Sequence, residues 1–145
     1  GKTGIPIEIL NKPERLSEEE WEIVCMHPYW GAIAALKLKG LDEISMQNAI
    51  VAFQHHMKYD YSGYPKLQET MELIFYSKVI SIADQSDAMT ASRVYRAEPM
   101  SPDKVLNMMI ESSGSEIDPI FLKILANIVG VYPIGSLVLL DTQEM

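Results

Sequence analysis

The feature that most constrains this chain is a repeated set of helix-start and helix-stop signals. Ser17 and Glu20 form a capping box. The serine hydroxyl takes a backbone N–H of the first turn, and the glutamate reaches back to the serine N–H. A helix through "EEEWEIVCM", residues 18–26, is predicted to follow. Ser101-Pro102 and Asp118-Pro119 are two further starts, opening helices over 101–112 and 118–129. Each pairs a capping side chain with proline at the first helical position, where a missing N–H removes no hydrogen bond. Pro28 stops the first helix, because the residue before a proline avoids the helical region. Gly40 stops a second helix running through "WGAIAALKL". Residues 44–56 are predicted as a third, with Ile44, Ala49, Ile50, Ala52 and Phe53 near helical spacing. Residues 69–91 give a long fourth stretch. A polar loop is expected from Lys58 to about Glu69, and residues 1–16 read as extended or looped, since Pro6 and Pro13 disfavour a helix. Only "SLVLL", residues 136–140, reads as a strand, so the fold expected is mostly α with a short β segment near the C-terminus.

Length and composition narrow the class further. At 145 residues the chain is most simply one domain with a real core. Hydrophobic residues make up 48% and charged ones 22%, which fits a globular rather than a disordered protein. The formal net charge of -8 argues against DNA or a general nucleic-acid surface, because a phosphate backbone selects a basic field. A small phosphate ligand held by a few local cations stays compatible with it. One cysteine, Cys25, precludes an internal disulfide and points to a reducing, cytoplasmic setting. No apolar run approaches the roughly 20 residues that span a bilayer, and "GKTGIPIEIL" is not a signal peptide. No membrane contact is therefore expected of this domain. Both ends, "GKTGIP" and "GSLVLLDTQEM", read as cuts through structure, so a longer parent protein is expected.

All three histidines stand in chemically suggestive places. His55 and His56 are adjacent near a predicted helix end, ahead of Asp60 and a Ser-Gly-Tyr-Pro turn. Neighbours inside a helix point about 100° apart, but at a C-terminus both can turn to one site. His27 stands before Pro28. Asp84 lies in the apolar run "VISIADQSD", which draws its carboxylate toward the interior and calls for a cation partner. Imidazoles with a carboxylate are a transition-metal donor set. Lys2, Arg93 and Arg96 are cations suited to phosphate oxygens, the arginines through a planar fork. Metal ligands beside phosphate-type cations suggest metal-assisted phosphoester hydrolysis.

Several motifs in order resemble the HD-GYP family, a branch of the HD superfamily of metal-dependent phosphohydrolases. "GKTGIPIEILNKPERLSEEEW" is similar to the stretch that follows the family's His-Asp pair, and "HPYWGA" to its HP-x-x-G element. "HHMKYDYSGYP" is similar to HH-x-x-x-D-x-x-GYP, "IADQSDAMTASRVYR" to the IAD…DA…T…YR segment, and "GVYPIGSLVLL" to a tail of many members. The resemblance implies an HD-superfamily helical bundle, here partial. Residues 1–130 would be the C-terminal part of the catalytic domain and 131–145 the start of a strand extension. It implies a cyclic-di-GMP phosphodiesterase in which two or three iron or manganese ions activate water for attack at phosphorus. It implies metal ligands at His27, His55, His56 and Asp84, and a Lys2 contact to the scissile phosphate. Asp87 would lie beside the site, Tyr64 near the ligand, and Arg93 and Arg96 against the dinucleotide's phosphates. The GYP loop would dock signalling partners. Oligomeric state stays open, with a homodimer through exposed helix faces as one outcome.

The departures from the family pattern set up a second hypothesis. The His-Asp pair is expected upstream of Gly1, Met57 replaces a usual Glu, and Tyr61 a usual Gly. This chain alone is therefore expected to hold part of a metal site and not to turn over substrate. The alternative to an enzyme is a degenerate, non-catalytic module that binds cyclic-di-GMP or a partner protein. An HD-type hydrolase acting on another nucleotide is a third reading, against which the SGYP turn argues.

Overall fold

The computed structural model describes residues 1–39, 41–69, 71–92 and 98–130. Among these residues seven α-helices follow a short 3-10 turn at Lys2–Gly4: α1 (Ile7–Leu10), α2 (Glu18–Cys25), α3 (His27–Lys39), α4 (Glu43–Gln54), α5 (Phe75–Thr90), α6 (Pro102–Glu111) and α7 (Pro119–Val129). The mostly α expectation holds, and no β-strand occurs among the described residues. The expected strand at 136–140 lies outside them.

The punctuation of the sequence acts largely as its chemistry dictates. Glu20 N–H donates to Ser17 Oγ at 3.2 Å and Ser17 N–H to Glu20 Oε2 at 2.7 Å, closing the capping box. Asp118 accepts from Ile120 N–H at 3.0 Å. Ser101 behaves differently: it makes no side-chain cap bond, and bonding to it lowers the Asp103 carboxylate's pKa. Asp42, an N-cap the hydrophobic spacing does not announce, accepts from Ser45 N–H at 2.7 Å and starts α4.

Three boundaries depart from expectation for visible reasons. His27, the residue before Pro28, is helical, so the break between α2 and α3 falls at Met26, and Pro28 sits in the first turn of α3 where its missing N–H has no helical partner to lose. Pro6 is the N-cap residue of the one-turn α1, a position whose N–H has no helical partner to lose. Residues 1–16 are thus not wholly loop. The long helix begins at Phe75 rather than near 69 because Gln54 holds the approach extended. Its amide donates to Glu72 O at 2.9 Å and accepts from Ile74 N–H at 3.2 Å, while its side chain is only 1% exposed. A buried amide satisfied at both ends overrides the local helical preference of "MELI".

α3 and α4 pack as a hairpin, α4 leans on α5, and α5 carries α6 and α7. The core between the last three helices is Ile82, Val105, Met109, Ile117 and Leu122. The loop after α4 is tied to the α6–α7 turn by Tyr59 N–H to Glu116 O (2.8 Å), Asp60 N–H to Ser115 O (2.9 Å) and a Lys58–Glu116 ion pair. Lys78 reaches Asp118 at 3.1 Å across the same junction. These ties fix where the loop leaves His56.

Candidate metal centre

His27 opens α3 and His55 caps α4, so each stands where a preceding helix leaves carbonyls without an intrahelical partner. Each uses one. His27 Nδ1 donates to Val24 O at 2.7 Å, and His55 Nδ1 donates to Ala52 O at 2.8 Å. A carbonyl can only accept, so both rings are held with the proton on Nδ1. Their Nε2 atoms then present lone pairs, and these face each other 3.2 Å apart. Two unprotonated nitrogens at that distance repel unless a cation joins them. Nitrogens lying about 2.1 Å from a common transition-metal ion fall about that far apart.

His56 completes the group: one ligand-type nitrogen of each of His27, His55 and His56 lies within 4.8 Å of the others. His56 Nδ1 faces Asp84 Oδ2 at 3.9 Å, too long for a hydrogen bond. Asp84 does not lie in the interior that its apolar neighbours led us to expect. Its side chain is 35% exposed, and Val79 and Ile80 are exposed too, because α5 turns Ser77 and Ile82 inward instead. The carboxylate borders the imidazoles rather than the core. The set — three imidazoles, two of them locked by backbone carbonyls, with one carboxylate alongside — fits a divalent transition metal.

Burial lowers the pKa of all three imidazoles below the ordinary 6.5, and that of His56 to about 3. Proximity of the other two rings and of the Lys2 ammonium adds to the burial of His56. An unfolded chain takes up protons near pH 6.5 that the folded cluster refuses, so folded-state stability is full above that pH and declines as pH falls toward 3. The metal-free protein should therefore lose a few kcal/mol between pH 7 and pH 4, read as a falling urea midpoint. His56→Gln should flatten that slope, and an unchanged slope would contradict the assigned burial.

The GYP loop folds back on His56. Tyr64 N–H donates to His56 O at 3.0 Å, and the Tyr64 ring stacks on the His56 ring with centroids 4.7 Å apart and planes at 31°. Burial raises the Tyr64 phenol's pKa, with the Cys25 and Asp84 charges adding to it, so the hydroxyl stays a neutral donor. Gly63 is required by close approach: a Cβ there would sit 1.9 Å from His56 O. The Tyr64–Pro65 peptide bond is cis. Trp21 of α2 meets Tyr64 edge to face at 5.7 Å.

Tyr61 keeps the backbone its position calls for, with φ of 61°. That region costs a non-glycine residue about 1–2 kcal/mol. Lys66 Nζ, donating to Ser62 O at 2.6 Å and Tyr61 O at 3.4 Å, helps hold the bend. Tyr61→Gly should stabilise the domain by about 0.5–1 kcal/mol, relief of strain less the larger unfolded-state entropy of glycine. Thermal unfolding checks this, and a lower Tm would refute it. Met57, the other departure, is 3% exposed and lines a cavity with Gln54, Leu73, Ser77 and Ile82. Its side chain serves packing.

Lys2, in the turn after Gly1, adds its charge to the field on all three histidines. The turn is seated on α3: a Cβ on Gly1 would lie 2.2 Å from His27 O, and one on Gly31 3.5 Å from Gly1 Cα. Asp87 lies one turn beyond Asp84 on α5 and is exposed. Arg93 and Arg96 lie outside the described residues. Sequence reasoning passed over Val24, Ala52 and Trp21. A histidine three residues after a helix-end carbonyl was the available signal for the first two.

No helix among the described residues is long and apolar enough to cross a membrane. The family model for the HD domain matches residues 1–120. A cyclic di-GMP phosphodiesterase of Pseudomonas aeruginosa is 30% identical over 145 residues, all of this chain and 34% of the relative. A cyclic di-GMP phosphodiesterase of Vibrio cholerae is 34% identical over 122 residues, 82% of this chain and 25% of the relative. The 3'3'-cGAMP-specific phosphodiesterase 3 of Vibrio cholerae is 37% identical over 119 residues, again 82% and 25%. The chain thus spans about a quarter to a third of the length of these relatives. With helices, turn and histidine cluster in the order its motifs require, the chain belongs to the HD domain family, in the HD-GYP branch.

Proposed function

We propose that residues 1–130 are the C-terminal part of an HD-GYP catalytic domain whose parent protein hydrolyses a cyclic dinucleotide, cyclic di-GMP foremost, with residues 131–145 beginning a C-terminal extension. The observation that carries the reading is the 3.2 Å approach of His27 Nε2 to His55 Nε2, both proton-free. In this reading His27, His55, His56 and Asp84 hold divalent iron or manganese, two or three ions once upstream residues add their ligands. Bound there, such ions supply Lewis acidity and a deprotonated water at neutral pH. The chain's own groups do the rest. Lys2 sets a positive charge against the phosphate oxygens as their charge grows. The neutral Tyr64 phenol donates a hydrogen bond without repelling an anion. Asp87 sits beside the site, one turn beyond Asp84. Arg93 and Arg96 grip the phosphates through their planar forks, a role read from sequence alone.

We place the domain in the cytoplasm, where its single thiol stays reduced. The GYP loop is its surface for signalling partners, and its exposed helix faces are the contact for a second copy. Two named substrates among the relatives make the test comparative. The parent protein, loaded with Mn(II) or Fe(II), should cleave cyclic di-GMP faster than 3'3'-cGAMP, read by chromatography of the products. The reverse preference would move the substrate assignment. Binding without cleavage of either would favour the non-catalytic module, and neither binding nor cleavage would refute the reading.

A further inference from the structure

We infer that Trp21 is a stacking platform for one purine base of the dinucleotide, a role that rests on the phosphodiester reading of the histidine cluster. Three rings form a file from solvent to the metal ligands. Trp21 is 50% exposed. It meets Tyr64 at 5.7 Å with planes at 80°, and Tyr64 stacks on His56 at 4.7 Å. Tyr64 also lies 6.1 Å from the His27 ring. Trp21 is thus the outermost ring of this file, separated from the His56 imidazole by the Tyr64 ring alone.

The position of Trp21 on α2 explains why it is held there. Val24 and Cys25, three and four residues on, are partly buried and on its side of the helix. Tyr64 supports it from the loop. Apart from Ile23, the other exposed residues of the first two turns are the acids Glu18, Glu19 and Glu22, which repel phosphate. The polar end of a ligand is therefore directed to Lys2 and the histidines, and a neutral planar group is what Trp21 accepts. An indole face takes any base, so the platform adds affinity for guanine and adenine alike without choosing between them.

The test uses the metal-loaded parent protein and the variants Trp21→Leu and Trp21→Phe. Calorimetry gives the Kd of a hydrolysis-resistant phosphorothioate of cyclic di-GMP. Kinetics give KM and kcat for cyclic di-GMP, and the Ki of inorganic phosphate, which has no base, serves as reference. Trp21→Leu should raise Kd and KM between about 5- and 100-fold, with the loss in KM rather than kcat and the phosphate Ki within twofold of wild type. Trp21→Phe should restore most of the affinity. An unchanged Kd in Trp21→Leu, or equal weakening of dinucleotide and phosphate, overturns the inference. A wild-type protein that binds metal and phosphate but no cyclic dinucleotide instead overturns the reading on which it rests.

Discussion

Gly63→Ala should cost the domain about 3 kcal/mol and weaken metal binding together, although the residue touches no metal. The added Cβ would stand 1.9 Å from His56 O and 2.9 Å from Lys58 N. Both are backbone atoms, so no rotamer change relieves the clash. The chain must lift off His56, which breaks the Tyr64 N–H to His56 O bond and unstacks Tyr64 from the imidazole. Gly114→Ala is the control. Gly114 has φ of 83°, and a Cβ added there would meet nothing within 4 Å, so that variant carries backbone strain alone, about 1–2 kcal/mol. Metal titration followed by thermal unfolding separates the two: Gly114→Ala should bind metal normally, and Gly63→Ala at least tenfold more weakly. Equal metal affinity in both would show that the loop does not position His56.

The second large effect divides the roles of His27 and Lys2. His27 is 4% exposed and one of the pair of opposed nitrogens. His27→Ala removes a proposed ligand and should reduce metal affinity by 100-fold or more, a larger loss than the 10- to 100-fold typical of groups that only orient a ligand. Lys2 is a cation in a site that would hold cations already, and its charge lowers the proton affinity of all three histidines. Lys2→Ala should leave metal bound at least as tightly and lower kcat in the parent protein by about 100- to 1,000-fold, the range for loss of one transition-state donor. Metal content and turnover, measured on the same preparations, check the split. Metal loss in Lys2→Ala, or full metal retention in His27→Ala, would contradict it.

Local chemistry made most of the helices legible. A capping box and two proline-led starts fix α2, α6 and α7 because their signals lie within four residues of the boundary they set. Where a distant residue decides, sequence reasoning fails. The start of α5 is set by Gln54, about 20 residues earlier in the chain, and no local propensity encodes that. The exposure of Asp84 follows from which stripe of α5 meets α6 and α7, a tertiary choice that its apolar neighbours do not reveal. The histidines were visible as residue types, but the tautomers that turn the Nε2 lone pairs of His27 and His55 toward each other depend on Val24 and Ala52 carbonyls freed by helix ends. Tyr61 shows the converse. A residue ill suited to its φ keeps the loop's bend, because its own N–H is tied back to Lys58 O at 3.1 Å and Lys66 Nζ holds Tyr61 O and Ser62 O on the far side.

In the proposed site His27 and His55 share one ion. Crystals of the metal-loaded protein, with anomalous scattering collected above and below the Mn or Fe absorption edge, test it most directly. A peak is expected about 2.1 Å from both Nε2 atoms, with His56 and Asp84 around it and the Nδ1 bonds to Val24 and Ala52 intact. Loaded crystals with no peak there, and the two imidazoles still in direct contact, would contradict the account.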